Sequence, residues 1–276
     1  MDRGGVVIAG DVVTVVQARR GSTRLPGKVL HPLGGGTVLE VMLERVRRAS
    51  LVGTVVVATT TSPADDEIVR VAERANVNWF RGHPTDLLDR HYRVAVGMNA
   101  RHLVKIPSDC PLIDPAIIDA VLAVFRDAAG TLDYVSNLHP PTHPDGNDVE
   151  VFGFDALEAA WRESSRAIDR EHTTPYLWDN PQRFRCANVR DSGRDRSCTH
   201  RTVLDYPEDY ALIRRVYEAL APGNPHFTVT DIVRFLDENP ETHALNARHR
   251  GTHWYRGHLG ELRTRTAGAI AGAGAT

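Results

Sequence analysis

Three apolar, largely β-branched runs recur along the chain: Val12-Val13-Thr14-Val15-Val16, Thr54-Val55-Val56-Val57-Ala58 and His102-Leu103-Val104-Lys105-Ile106. Runs without alternation suit strands covered on both faces, as in a parallel sheet. Between them the apolar spacing is helical, with Leu39, Met42, Leu43 and Val46 on one face of the first helix. Helices are also predicted over Asp65 to Ala75 and Leu87 to Val96, with Val77 to Phe80 extended between them. Such alternation predicts the α/β class, with a doubly wound, mostly parallel sheet, because right-handed crossovers place a helix on one face or the other. Pro140, Pro141, Pro144, Gly146 and a Ser/Arg/Asp-rich stretch from Arg190 to Arg201 break the rhythm. Residues 137–200 are therefore predicted to be a small inserted lobe. A strand over Arg201 to Leu204 follows, then a helix from Pro207 with Ile213, Val216, Tyr217 and Leu220 inward, and a last helix near Thr228 to Glu238. The division is one α/β domain over residues 1–250 and a tail over 251–276, partly disordered, whose small-residue end Ala267 to Thr276 is expected to fray.

The first run leads directly into Gln17-Ala18-Arg19-Arg20-Gly21-Ser22-Thr23-Arg24-Leu25-Pro26-Gly27-Lys28. A loop leaving the carboxyl end of a parallel strand stands where open α/β sheets collect ligands. Gly21 and Gly27 permit close backbone approach to an anion, Ser22 and Thr23 add donors, and Arg19, Arg24 and Lys28 supply charge suited to a triphosphate. From charge alone the loop reads equally as a solvated turn of arginines. It is not a Walker loop: Gly21 to Pro26 is one residue too many before Gly27-Lys28, and Val29 stands where Ser or Thr is needed. Gly34-Gly35-Gly36 lacks the dinucleotide spacing and reads as a turn before a helix.

Two aspartates have similar surroundings. Asp109 follows the strand ending at Ile106 and precedes a helix with Asp114 as cap and Pro115 in its first turn. Asp205 follows the expected strand Arg201 to Leu204 and precedes the Pro207 helix. Both carboxylates would reach the sheet edge of the basic loop and supply the hard oxygens that magnesium takes. Taken alone they read as well as caps or turn residues. Thr59, Thr60 and Thr61 end the second strand, where they face a base or simply form a polar exit. Arg170, Glu171, His172 and Tyr176 form a polar cluster in the lobe, with His172 and Tyr176 on one face if that stretch is helical. His249 and His253 have helical spacing but lack a third zinc ligand.

The chain has 276 residues and a formal net charge of −2, so its cationic character is local and nothing points to nucleic acid. No apolar run approaches the ~20 residues of a membrane span, and residues 1–11 lack a signal peptide's apolar region. Three cysteines, Cys110, Cys186 and Cys198, with no Cys-x-x-Cys pair, are expected in the reducing cytoplasm, and Cys110 reads as a small buried side chain.

Gln-Ala-Arg-x-Gly-Ser-Thr-Arg-Leu-Pro-Gly-Lys resembles the amino-terminal signature of the cytidylyltransferases that make CMP-activated sugars, above all the SpsF-like branch of spore-coat polysaccharide synthesis. CMP-Kdo and CMP-sialic acid synthetases are more distant. Val57-Ala58-Thr59-Thr60-Thr61, Asp86-Leu87-Leu88-Asp89-Arg90, Ser108-Asp109-Cys110-Pro111-Leu112-Ile113-Asp114-Pro115, Arg170-Glu171-His172-Thr173-Thr174-Pro175-Tyr176 and Leu204-Asp205-Tyr206-Pro207-Glu208-Asp209 follow in the expected order. The similarity spans roughly residues 11 to 247. It implies a Rossmann-like nucleotidyltransferase fold, akin to the GT-A fold, and transfer of CMP from CTP to a sugar acid or related acid-bearing metabolite with release of pyrophosphate. Asp109 and Asp205 are then the ligands of Mg2+, and Arg19 and Lys28 the catalytic cations. Ala18, Arg19, Gly21, Ser22, Arg24, Lys28, Thr59, Arg81, Arg90 and Asp109 are implied at the nucleotide, and Arg170, His172 and Tyr176 at the acceptor. A homodimer joined through the lobe is also implied. The rivals are a uridylyl- or guanylyltransferase acting on a sugar phosphate, a transferase acting on a phosphonate, a nucleotide-sugar glycosyltransferase, for which the usual Asp-x-Asp pair is missing, and a catalytically silent nucleotide-binding homologue.

Overall fold

The computed structural model describes residues 11–264. Its elements in order are β1 (Val12–Gln17), β2 (Pro32–Leu33), β3 (Gly36–Thr37), α1 (Val38–Val46), β4 (Thr54–Thr60), α2 (Asp66–Arg74), β5 (Asn78–Gly82), α3 (Leu87–Met98), β6 (His102–Pro107), α4 (Pro115–Asp127), β7 (Tyr134–Ser136), β8 (Glu150–Gly153), α5 (Phe154–Glu163), α6 (Ala167–His172), α7 (Pro175–Trp178), β9 (Cys186–Asn188), α8 (Pro207–Leu220), α9 (Val229–Glu238) and α10 (Pro240–His243). Seven strands form one sheet in the order β5-β4-β1-β6-β8-β7-β9. β5, β4, β1 and β6 are parallel, with Val15 registered between Val56 and Lys105, and β8 runs antiparallel between β6 and β7. The expected α/β class and mostly parallel sheet are present. Chain order reverses at β1, whose neighbours β4 and β6 lie on opposite sides, and the crevice at such a switch point is where ligands bind in this architecture.

The β-branched strands are buried on both faces, as their uninterrupted apolar runs require. On one face Val16 and Val57 pack with Leu39, Met42 and Leu43 of α1, Ile68 and Val71 of α2, and Ile118 and Val121 of α4. On the other, Val13, Val15 and Val56 meet Leu88 and Val94 of α3 and Leu157 of α5. A third cluster joins Leu25 and Leu33, beside the basic loop, to Leu204 and to Leu212, Ile213 and Val216 of α8. This last core binds the loop and the Asp205 segment to one rigid support.

Helix starts follow the local chemistry. The Thr37 hydroxyl accepts from the Glu40 backbone N–H while the Glu40 carboxylate accepts from the Thr37 N–H, a reciprocal cap on α1. Asp114 caps α4 with Pro115 in the first turn, as expected. Its other carboxylate oxygen accepts from the Val229 N–H and ties in α9.

One expectation is corrected. Arg201 to Leu204 is not a strand: among the described residues its only ladder contact is an isolated bridge between Asp145 and Arg201. Its backbone bonds instead to two loops, with Thr202 N–H donating to Asp145 O and Leu204 N–H to Asp109 O. Residues 137–200 are continuous with the sheet, to which they give β8 and β9, because Val149, Val151 and Phe152 belong to its two cores. Of the expected tail, residues 251–264 pack back on the domain, with Tyr255 and Leu262 buried. Ala267 to Thr276 lies outside the described residues.

Gly53, which leads into β4, has φ of 60°, and a Cβ there would stand 2.2 Å from the Val12 carbonyl oxygen. Gly53→Ala is expected to cost at least ~1 kcal/mol in urea unfolding, since both the left-handed backbone and the contact oppose a side chain; an unchanged midpoint would refute this.

Candidate active site

A cleft of about 600 Å3 opens at the carboxyl ends of β1 and β6. Gln17 to Arg19, Gly21 to Arg24 and Lys28 line it, together with Ser108, Asp109 and Asp205. Glu171, His172, Trp254 and His258 complete the lining from the chain's later segments.

The basic loop is shaped by its own backbone. Ser22 and Gly27 N–H groups both donate to Arg20 O, at 2.8 and 3.1 Å. Gly27 adopts φ of 68°, which turns the chain into the short 3-10 segment Lys28–Leu30. Buried Leu25 and Val29 anchor the loop to the core while Arg24 and Lys28, beside and between them, face the cleft. A second tether was hidden in the sequence: buried Asp65 accepts from the Arg20 N–H at 2.8 Å and from the Thr60 hydroxyl.

Lys28 is the centre of the site. Its Nζ donates to Asp109 Oδ2 at 3.1 Å, Asp205 Oδ1 at 2.9 Å and Leu204 O at 2.7 Å. Arg24 bonds the same Asp205 oxygen at 2.8 Å. Burial pushes the Asp205 carboxyl up, but Lys28 and Arg24 outweigh it and hold the group at about 2. Burial likewise opposes the Lys28 charge, yet Asp109 and Asp205 raise the ammonium above its ordinary value. Two carboxylates from distant segments thus face one small cationic space.

Behind them is a layer not identified from the sequence. Arg201 is 1% exposed and bonds Asp145 at 2.9 Å, Asp209 at 2.9 Å and Asp205 at 3.5 Å. Asp209 in turn accepts from the Asp205 and Tyr206 N–H groups, which fixes the turn into α8. Lys105 pairs with Glu150, which also accepts from the Tyr134 and Thr174 hydroxyls. Asp145, Asp148 and Glu150 bring further carboxylates to the cleft. Burial and then the charge of Asp109 raise the Asp148 carboxyl to about 7. Burial and then Asp148 push Asp145 up as well, against the pull of Arg201. Asp109 and Asp205 bring two hard carboxylate groups to one point, a donor set that fits a small divalent cation.

The remaining expected residues divide into two groups. Ala18, Arg19, Gly21, Ser22, Arg24, Lys28, Arg90, Asp109, His172 and Asp205 line the cleft. Arg19 is exposed and makes no ion pair among the described residues, whereas Arg90 is 3% exposed and has only a 3.4 Å bond to Ala58 O. Burial and the neighbouring charge of Arg19 lower Arg90 to about 10. Gln17 Oε1, Thr59 Oγ1 and Arg90 Nε are buried polar atoms with no partner among the described residues. Thr59 lies at the end of β4, outside the cleft lining.

Arg81, Arg170 and Tyr176 are not brought to the cleft. Arg81 braces the β4 exit through Thr60 O, Ser62 O and Asp66. Arg170 bonds Asp86, Ser164 O and Trp161 O. Tyr176 donates to Glu163 at 2.7 Å, and the expected shared face with His172 is absent because α6 ends there, Thr173 has φ of 72° and Pro175 starts α7. His172 instead stacks on Trp254 at 3.8 Å, beside His258. Burial, then Lys105, His258 and Arg19, lower His172 to about 3, so it is neutral. His249 stacks on Tyr206 and bonds Glu208, and His253 stacks on Tyr255, so the two are separately engaged. Cys110 is fully buried and its thiol is pushed well up, which removes it as a nucleophile.

The family model of cytidylyltransferases matches residues 13–222, and the chain belongs to that family of CTP-dependent nucleotidyltransferases. Spore coat polysaccharide biosynthesis protein SpsF of Bacillus subtilis is 28% identical over 241 residues, 84% of this chain and 96% of that protein. A 3-deoxy-manno-octulosonate cytidylyltransferase of Trichlorobacter lovleyi is 38% identical over 119 residues, 43% of this chain and 46% of the relative. The solved structure of a cytidylyltransferase from Leptospira borgpetersenii serovar Hardjo-bovis superposes with a TM-score of 0.80 at 32% identity, covering 84% of this chain and 96% of the other. No helix among the described residues is long and apolar enough to cross a membrane.

The carboxylate crowding has a measurable consequence. An acid raised to about 7 in the fold and near 4 when unfolded favours folding below the unfolded value and loses that contribution as pH climbs through about 7. Asp148→Asn in chelator-treated protein is expected to gain at least ~1 kcal/mol at pH 8 relative to pH 4; parallel urea-stability profiles for variant and wild type would contradict it.

Proposed function

We propose that this chain transfers CMP from CTP to a sugar acid or related acid-bearing metabolite, using Mg2+ held by Asp109 and Asp205. The observation that carries the reading is the convergence of both carboxylates on Lys28 at the mouth of the basic loop, at 3.1 and 2.9 Å. An acceptor oxygen forms the new bond to the α-phosphorus in line while the bridge to the β-phosphate breaks, and pyrophosphate departs. The divalent ion, when bound, polarises phosphate oxygens and offsets their charge. Lys28, Arg24 and Arg19 neutralise charge growing toward the leaving pyrophosphate, and their worth rises because Lys28 is largely withdrawn from water. The Ser22 hydroxyl and the Gly21 backbone orient the phosphates. The unpartnered Gln17 Oε1 and Arg90 Nε suit the nucleoside end.

The acceptor half is bounded by neutral His172, Trp254 and His258, with Lys105 and Arg19 close enough to lower the His172 pKa. A flat aromatic wall and nearby cations suit a sugar ring bearing a carboxylate. The relative named for 3-deoxy-manno-octulosonate supports the same acceptor class. Three unpaired cysteines accord with a cytoplasmic location. A homodimer through residues 137–200 rests on the family resemblance.

Pyrophosphate release with CTP, UTP, GTP and ATP against pooled sugar acids, sugar phosphates and phosphonates tests the reading. CTP with a sugar acid is expected to give the fastest release, and Lys28→Ala should lower its kcat/KM by roughly 10²–10³-fold, the loss seen when one transition-state charge donor is removed. Release confined to another nucleotide or to a sugar phosphate, or an unaffected Lys28→Ala enzyme, would overturn it.

A further inference from the structure

Outside the cleft, His200, Asp237 and His243 each bring one ligand atom to within 4.8 Å of the other two. His200 stands at the start of the segment that backs the cleft, Asp237 in the last turn of α9 and His243 at the end of α10. The His200 ring is buried and its Nε2 lies 3.2 Å from Asp237 Oδ1. The two imidazoles stand 4.7 Å apart between ring centroids, tilted by 31°.

Thr199 sets up both rings. Its hydroxyl lies 3.0 Å from His200 Nδ1, and its carbonyl oxygen 3.0 Å from His243 Nε2. Metal-ligating histidines are held in this manner, one ring nitrogen engaged by an oxygen so that the other is presented to the ion. Asp237 is 60% exposed in its side chain, so its hydrogen bond to His200 adds little by itself, and its carboxylate is free to turn toward an ion.

We propose that His200, Asp237 and His243 bind one borderline-soft transition-metal ion, with Zn2+ as its representative and water completing a tetrahedron. Bonds of about 2.0–2.2 Å to nitrogen and oxygen set the ligand atoms roughly 3.4 Å apart, so the three draw together on binding, by rotation of the exposed Asp237 and a shift of the half-buried His243 ring. Two imidazoles and a single carboxylate favour Zn2+ over Mg2+, which prefers oxygen, so this site is chemically distinct from the carboxylate cleft. The bound ion ties the 199–201 segment to α9 and α10. That segment supports the cleft: His200 O accepts from the Asp145 N–H at 2.9 Å, and Arg201 holds Asp145, Asp205 and Asp209. The ion is thus a brace for the layer behind the candidate active site, and it stands whether or not the proposed acceptor is correct.

The test is Zn2+ titration of chelator-treated full-length protein in excess Mg2+, in competition with a chromophoric chelator. One equivalent is expected to bind in the micromolar range or tighter, with affinity falling at least ~10-fold in both His200→Gln and His243→Gln and unchanged in Asp109→Asn. Zn2+ should also raise the thermal midpoint of the wild type but not of the histidine variants. His243 is only half-buried, so His243→Gln keeps the test usable if His200→Gln does not fold. Absence of a stoichiometric site, or an affinity and thermal shift that His243→Gln leaves intact, the mark of an adventitious ion only, would overturn the proposal.

Discussion

The shared bond of Lys28 to Asp109 and Asp205 is the constraint around which the cleft is built. The three residues come from the loop after β1, the loop after β6 and the turn before α8, and the cluster holds those segments at one point. Its formation asks for support on every side. Leu25 and Val29 pin the cationic loop into the cores, Leu204 and the inward face of α8 pin the Asp205 segment, and Asp65 holds the Arg20 backbone. Like-charged carboxylates would otherwise repel. Arg201 offsets part of that repulsion from a fully buried position, where losing one partner of such a network typically costs about 3–5 kcal/mol.

Much of this was legible in the sequence because strong local signals coincide with tertiary demands. The runs Val12 to Val16, Thr54 to Ala58 and His102 to Ile106 are buried strands since the same residues that favour extended backbone also fill both cores. Asp109 and the basic loop could be placed on one sheet edge because a parallel sheet puts all its strand exits there. Lys28 could be assigned to the cleft, yet its pairing with two aspartates could not, since contacts across the loops after β1 and β6 leave no mark in residue spacing.

The misses have the same origin. Arg201 to Leu204 carries a strand-like pattern, but its backbone bonds are claimed by the Asp145 and Asp109 loops, so tertiary pairing overrides propensity. Asp145, Asp148 and Glu150 lay in a Pro- and Gly-rich stretch whose composition suggested a lobe. Only β8 in place between β6 and β7 brings them to the cleft. Tyr176 was separated from His172 by a single positive-φ residue, Thr173, and Trp254 took the position beside the histidine from a segment that had read as tail. Arg81 shows how a cation at a strand exit can be wholly occupied by local carbonyls and Asp66.

Asp109, Asp205 and Lys28 are proposed to form one site, in which the carboxylates take a divalent cation and the lysine turns toward phosphate. Electron paramagnetic resonance of Mn2+ bound with CTP measures this without turnover. The account predicts one Mn2+ bound per chain, with affinity weakened at least ~10-fold in both Asp109→Asn and Asp205→Asn while their circular dichroism matches the wild type. Undiminished Mn2+ binding in both folded variants would contradict it.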